Sequence, residues 1–428
     1  MYKQNTMTIL PKINLYLLYA ILISIVFSKF NLNSFFIILF FATWLLEGHY
    51  REKWEKLKAD KIFLTYSLYF ILQVFGLIYT SDLLLGWKHV EHKAGFFVLP
   101  LLLGSNRFLN DRLRTRVMLF FCAVLLATSA YCLAVAAYRY HLTSDSGVFF
   151  YHSLVKPIPQ HAIYFSIYVF IAVLFLFFEN GKNPWLIKNK TACSILIVYF
   201  VIILILLSSK LVLSLVFILL VLLAVRAIVK KRSIVLTVSL FCALVLGSGV
   251  VFYSDTPIRQ RFSAIVHGDL GLIKKEQFTP ITDWNGLQLR ILIWRFTLEI
   301  LQTQRAWILG VSPGDAQKRL NEKYIAANMY IGDKNRGDTG FLGYNCHNQF
   351  FQIMLQSGTA GLLMLITWMS VFFRHAVKRK DPVLLGILLI TFFFFTIESV
   401  FERQFGMILC TFFPLLYYYG RNEATYER

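Results

Sequence analysis

Apolar residues in this chain come in long, almost unbroken runs, of which "INLYLLYAILISIVF" (Ile13 to Phe27) is the first. Within a run there is neither the alternation of a half-buried strand nor a polar stripe at helical spacing, so the pattern predicts helices that are apolar all round. A membrane-crossing helix needs about 20 mostly apolar residues. Twelve stretches approach that: 13–28, 32–47, 62–80, 93–104, 117–138, 161–178, 191–208, 209–226, 234–253, 346–373, 383–398 and 404–420. The fourth is short and contains Pro100, and the seventh and eighth meet at "LLSSKLVLS" (Leu206 to Ser214). The expected fold is an all-α polytopic transmembrane bundle of about twelve spans. Spans one to nine occupy residues 1–253, one extramembrane module 254–345, and spans ten to twelve with a short tail 346–428.

The long polar segment has a pattern of its own. In "NGLQLRILIWRFTLEILQTQ", Leu289, Ile293, Phe296 and Ile300 recur on one helical face, with Arg290 and Trp294 together on another. "GVSPGD" (Gly310 to Asp315) predicts a turn and a helix start, with Ser312 as N-cap and Pro313 in the first turn. The glycine-rich "GDKNRGDTGFLGYN" predicts a loop leading into the tenth span. No long internal repeat is evident, which disfavours an inverted-repeat transporter.

Composition changes the picture only by confirming the class. A chain of 428 residues with 57% hydrophobic residues and a mean hydropathy of +0.60 has more apolar surface than a soluble fold can bury. The net charge of +20 invites a nucleic-acid reading, but the basic residues sit in short clusters between apolar runs. With both termini cytoplasmic, inner loops hold 24 Lys and Arg, the short outer segments 7, and the long outer module 12. That is the asymmetry of membrane orientation rather than of a nucleic-acid groove. Lys3 and Lys12 precede the first run with no small-residue cleavage site after it, so it is expected to remain as a helix. Six cysteines form no CxxC pair, and neither a disulfide framework nor a metal-ligand spacing is expected.

Few polar groups then remain to carry chemistry. His347, in "NCHNQFFQIMLQSGTAGLL" (Asn345 to Leu363), stands at the outer mouth of the tenth span, where free N–H groups and the helix dipole favour anions and a neutral imidazole. It is either a general base or merely an interfacial helix cap. Asn348, Gln352 and Gln356, four apart, make a polar stripe that must face protein or water, and their bland role is to glue helices. Arg290, with Arg295, Arg305 and Trp294 nearby, offers guanidinium groups for phosphate or, more plainly, a solvated face. Lys210 interrupts the seventh–eighth junction and either snorkels or reaches a cavity. Glu398 and Glu402 in "TIESVFERQFG" are expected on one helix face, and their bland role is to pair with Arg403 or another span's arginine. Arg139, His141, Lys156 and His161 gather around the loop between spans five and six. Together these describe an outer-leaflet site for an anionic, lipid-linked substrate whose pyrophosphate leaves once its charge is stabilised.

The segments "LLSSKLVLSL", "LRILIWRFTLEIL…WILGVSPGD" and "HNQFFQIMLQSGTAGLL" resemble the O-antigen ligase / Wzy-type polymerase superfamily of bacterial membrane glycosyltransferases, over roughly residues 200–420. The resemblance implies a GT-C-like bundle in the inner membrane, with a periplasmic loop between spans nine and ten. It also implies metal-independent transfer of a glycan from undecaprenyl pyrophosphate, without a cofactor. It makes His347 and Arg290 catalytic and gives Lys210 a share in holding the pyrophosphate; Asn348, Trp294, Glu398 and Arg139 are further candidates for substrate binding, from their own positions. The family often has arginine where this chain has Lys210, which keeps the charge and loses the bidentate fork. A ligase would deliver the glycan to lipid A–core, a polymerase to another lipid-linked repeat. The ligase is favoured by the single long outer loop, and a transporter remains the alternative of another class.

Overall fold

The computed structural model describes residues 9–27, 32–106, 108–158, 160–180, 186, 188–229, 270–333 and 337–420. Among them every regular element is helical. In chain order these are α1 (Ile9–Val26), α2 (Leu32–Glu47), α3 (Tyr50–Leu57), α4 (Lys61–Phe75), α5 (Leu83–His92), α6 (Gly95–Gly104), α7 (Asp111–Thr143), α8 (Tyr151–Val155), α9 (Ala162–Glu179), α10 (Lys190–Leu207), α11 (Lys210–Val229), α12 (Gly286–Thr303), α13 (Ala316–Ala326), α14 (Gln349–Lys378), α15 (Pro382–Phe395) and α16 (Gln404–Tyr419). Starts are set by short polar side chains. Asp60 accepts from the N–H groups of Ile62 and Phe63 to begin α4, and Asp381 does the same for Val383 and Leu384 ahead of Pro382. Asn285 and Gln288 form a reciprocal capping box on α12.

Five helices among the described residues are long and apolar enough to cross a bilayer, or six if the sharply bent pair α2 and α3 is one span. The bend is 116° and falls at Gly48 and His49, both with positive φ. Two of the twelve expected stretches form helices shorter than a bilayer is thick. The 10 residues of α6 rise about 15 Å and the 14 of α15 about 21 Å, against a hydrocarbon core of about 30 Å. The ninth expected span, 234–253, lies outside the described residues, as does the expected boundary at 253.

The chain divides into two compact units. The second comprises residues 26–29 and 121–268. Its centre is α9, buried along nearly its whole length, with Phe121 edge-on to Tyr168 and Ser129 hydrogen-bonded to Tyr199 at 2.9 Å. The first unit holds residues 1–25, 30–120 and 269–428. There α4 packs against α6 and α14, and α6 against α16. Aromatic rings fill the contact: Phe401 lies 4.6 Å from Phe96 and 5.0 Å from Phe395, centroid to centroid, and Trp368 lies 5.5 Å from Tyr66. Helices α12 and α13 pack through a core that includes Ile293, Phe296, Ile300, Leu320 and Tyr324, so the apolar face expected of α12 is its buried face.

Helix α14 is broken at Gly358 (φ 61, ψ −159), and the chain from Trp307 to Val311 fills the break. Thr359 and Ala360 donate to the carbonyls of Trp307 and Ile308 at 2.7 and 3.1 Å, and Val311 donates to Leu355 at 2.8 Å. These bonds replace the intrahelical ones that the break forfeits, as buried backbone requires. Two glycines make the approach possible. A Cβ on Gly358 would sit 2.3 Å from the Ile308 carbonyl carbon, and one on Gly310 would sit 2.5 Å from that of Gln356. Beside this insertion, Tyr79 donates to Leu309 at 2.6 Å, and Asp315 accepts from Ser81 N at 2.8 Å. Ser312 does not cap α13: it sits at φ 89, three residues before the N-cap Asp315, and its hydroxyl accepts from Asp315 N at 3.2 Å. Burial alone would raise the Asp315 carboxyl, but the Ser81 hydroxyl and N–H and the Ser312 hydroxyl all donate to it and, with Arg319 nearby, hold it below the usual carboxylate range.

Gly358→Ala is expected to destabilise by about 2–5 kcal/mol, combining a glycine-only backbone conformation with overlap against backbone. Gly343→Ala, also at positive φ but with open space around it, is the control and should lose much less. Melting temperatures in detergent compare the two. Equal losses would mean that the inserted segment does not constrain position 358.

Candidate functional site

The polar groups singled out around the tenth span converge on the start of α14. Asn348, not His347, is the N-cap: its Oδ1 accepts from Phe350 N and Phe351 N at 2.9 and 3.2 Å. This leaves His347 one residue outside the helix, at φ 44, its N–H donating to Asn345 Oδ1 at 2.9 Å. The turn that carries it is gripped from α12 and α13. Trp294 donates from its indole to the Cys346 carbonyl at 2.9 Å and stacks on Phe351 at 5.2 Å. Tyr324 and Gln317 donate to the Tyr344 carbonyl at 2.9 and 3.0 Å, and Cys346 N donates to Gln352 Oε1 at 3.1 Å.

His347 Nδ1 lies 3.5 Å from Glu398 Oε2, with 26% of the histidine side chain and 14% of the glutamate side chain exposed. Burial would raise the Glu398 carboxyl, but the imidazole and the Arg403 and Arg290 charges outweigh it and hold the group below its ordinary value. Arg290 therefore belongs to the same electrostatic neighbourhood. One guanidinium nitrogen donates to the Gly286 carbonyl at 3.1 Å, while its buried Nε has no hydrogen-bond partner among the described residues. The arrangement pairs an accessible imidazole with a mostly buried carboxylate and sets a guanidinium beside them. It can accept a proton at the imidazole and stabilise a nearby anion.

Glu398 is within reach because α15 ends at Phe395 and α16 begins at Gln404. The eight residues between them form turns and one turn of 3₁₀-helix, so Glu398 and Glu402 do not share a helix face, and neither forms an ion pair with Arg403. The polar side chains of α14 replace the missing helical bonds. Asn348 Nδ2 donates to the Thr396 carbonyl at 3.1 Å, Asn348 N to Ser399 Oγ at 3.3 Å, and Phe401 N to Gln349 Oε1 at 2.7 Å. Gln356 Nε2 donates to Glu402 Oε1 at 3.0 Å. Glue between elements is thus what the stripe does.

Other candidates are placed elsewhere. Lys210 opens α11 in the second unit, just after a left-handed turn at Ser208, and the break expected at this junction is present. Arg139 is also in that unit, where it donates to the Ser153 carbonyl at 2.9 Å. His161 caps α9, accepting from Ile163 N at 3.3 Å, and His141 and Lys156 are exposed. Lys93, Gln73 and His89, which surround Glu402, were not legible in advance. A lysine at the edge of an apolar run reads as an interfacial residue unless its acceptors are known. No group of three or more His, Cys, Asp or Glu among the described residues is arranged to hold a metal ion.

Fold and site together define a multi-pass, all-α membrane protein with a histidine–carboxylate–arginine cluster where helices α12 and α13 meet the start of α14. Residues 195–366, which include Lys210, Arg290 and His347, match the family model for O-antigen ligase (Wzy_C). The match spans 172 of the 428 residues, and over that stretch the chain is similar to O-antigen ligases. No curated protein matches the chain.

The folded-state depression of Glu398 makes a pH prediction. A group held below its unfolded value stabilises the fold fully above that value, here about 4.5, and loses the contribution as pH falls through the lower folded value. The difference in melting temperature between wild type and Glu398→Gln should therefore shrink as pH falls from about 4.5 toward 3.5. A difference unchanged through that range would contradict the ionised carboxylate.

Proposed function

We propose that this protein is an O-antigen ligase-like glycosyltransferase. It would move a glycan from undecaprenyl pyrophosphate to a sugar hydroxyl of lipid A–core at the periplasmic face of the inner membrane. The observation that carries the reading is the His347–Glu398 pair with Arg290 beside it. Glu398 on Nδ1 leaves Nε2 as the atom that takes the acceptor's proton. As that proton moves, the acceptor oxygen bonds to the anomeric carbon of the donor and the bond from that carbon to the pyrophosphate oxygen breaks. Attack opposite the leaving group inverts the configuration. The bond's electron pair leaves with the pyrophosphate, and a guanidinium is suited to that charge because its fork matches phosphate oxygens.

Arg290 takes that role by position and by resemblance, whereas Lys210 takes a phosphate-binding role by resemblance alone. Trp294 and Asn348, put forward as substrate ligands, are better read as positioning residues. The indole N–H of Trp294 and both ends of the Asn348 amide are already engaged in holding the His347 turn. Glu398 likewise moves from substrate contact to orienting the base. A pyrophosphate needs no metal to leave if fixed cations take up its charge.

The test is complementation of a strain lacking the protein, read on gels that resolve lipopolysaccharide, with membrane levels measured in parallel. His347→Ala is expected to reduce attachment of polymer to lipid A–core by at least about 100-fold, the usual contribution of a general base, at normal protein level. Arg290→Lys, which keeps the charge and loses the fork, should retain partial activity, and Arg290→Ala almost none. Accumulation of full-length lipid-linked polymer identifies a ligase, and persistence of single repeats a polymerase. Wild-type glycan transfer in His347→Ala would end the catalytic reading.

A further inference from the structure

The break between α15 and α16 carries two glutamates with different partners. Glu398 faces His347. Glu402, four residues on, belongs to a buried polar cluster that the proposed chemistry does not use. Its Oε1 accepts from Gln356 Nε2 at 3.0 Å and lies 3.7 Å from Lys93 Nζ, and its Oε2 lies 3.5 Å from His89 Nδ1. Lys93, with 1% of its side chain exposed, also donates to Gln356 Oε1 at 2.5 Å and Gln73 Oε1 at 3.2 Å. Gln73 donates in turn to Ser357 Oγ at 3.0 Å. The ammonium thus has three oxygen acceptors around it, supplied by α4, α14 and the break.

Such a cluster is a poor way to gain stability. Removing an ammonium and a carboxylate from water is expensive, and well-packed apolar side chains of the same volume hold elements together as well or better. What the ionic version adds is direction, since hydrogen bonds and charge fix where each partner points and apolar contact does not. The upstream part of the break is tied to α14 through Thr396, Ser399 and Phe401. Glu402 ties its downstream end to α14, to α5 and to the α5–α6 junction at once.

We infer that Lys93 and Glu402 are a positioning pair for His347: by clamping the far end of the break, they keep the Glu398 carboxylate against the imidazole. This rests on the reading of His347–Glu398 as the base and its orienting partner. Neither Lys93 nor Glu402 touches the reacting groups. Their effect must therefore pass through Glu398, whose charged neighbours are His347, Arg290 and Arg403.

That route makes the inference testable by a cycle. Lys93→Gln/Glu402→Gln removes both charges while keeping length and hydrogen-bonding capacity. It is compared with Glu398→Gln, with the triple variant and with wild type, all in purified full-length protein supplied with a lipid-linked glycan donor and lipid A–core. The double variant is expected to accumulate normally and to lose about tenfold in kcat with little change in donor KM. Its pH–rate profile should be displaced in the same direction as that of Glu398→Gln. In the Glu398→Gln background the double substitution should add less than about twofold, because coupled residues are not additive. Wild-type kcat and profile in the double variant, or a full additional tenfold loss in the triple, would overturn the inference. If the double variant does not accumulate, Glu402→Asp, which keeps the charge and shortens the arm, is read in the same way and with the same expected signs. His347→Ala that remains active would remove the underlying reading. An inactive His347→Ala beside a normal double variant would overturn the clamp alone.

Discussion

A helix that stops or breaks inside a membrane protein exposes N–H and carbonyl groups that lipid cannot satisfy, so each break must be closed by some other part of the protein. The first unit is organised around two such breaks. At Gly358 the backbone of residues 307–311 supplies the missing partners, and between α15 and α16 the side chains of Asn348 and Gln349 supply partners to Thr396 and Phe401. Both repairs involve α14. That helix is therefore at once a candidate membrane span, the anchor of α12 and α13 and the platform on which His347 and Glu398 meet.

The same constraint explains why the site is rigid without being buried. His347 lies outside the helix and keeps about a quarter of its side-chain surface, yet the residues on either side of it are fixed. Cys346 is held by Trp294 and Gln352, and Asn348 by its capping bonds and by Thr396. A base that must accept a proton from an arriving hydroxyl needs this combination of an accessible ring and an immobile backbone. Arg290 enters through α12, whose buried face of Ile293, Phe296 and Ile300 sets the rotation of the helix and with it the direction of the Arg290–Trp294 face.

The glycines of "WILGVSPGD" and "QSGTAG" gain a specific meaning from this geometry. Gly310 and Gly358 are the points where two backbones come closer than any side chain permits. The two motifs, nearly 50 residues apart, are halves of one joint. They bring the segment between α12 and α13 against α14, with Tyr79 and Ser81 adding a third segment to the same joint.

Much of this was legible from residue order alone. Apolar runs set the all-helical membrane class, helical spacing identified the buried face of α12 and the polar face of α14, and the position of His347 at a helix mouth followed from where the polar segment gives way to the apolar one. These are local properties, decided by residues within a few turns of one another. The partners of Lys93 and Glu402, the separation of the two glutamates onto different partners, the shortness of α6 and α15 and the fit of Gly310 against α14 depend on groups that packing brings together across tens to hundreds of residues. A hydropathy pattern records how much a segment prefers lipid to water. It does not record which buried donor will find which acceptor, and that choice is made only when the helices pack.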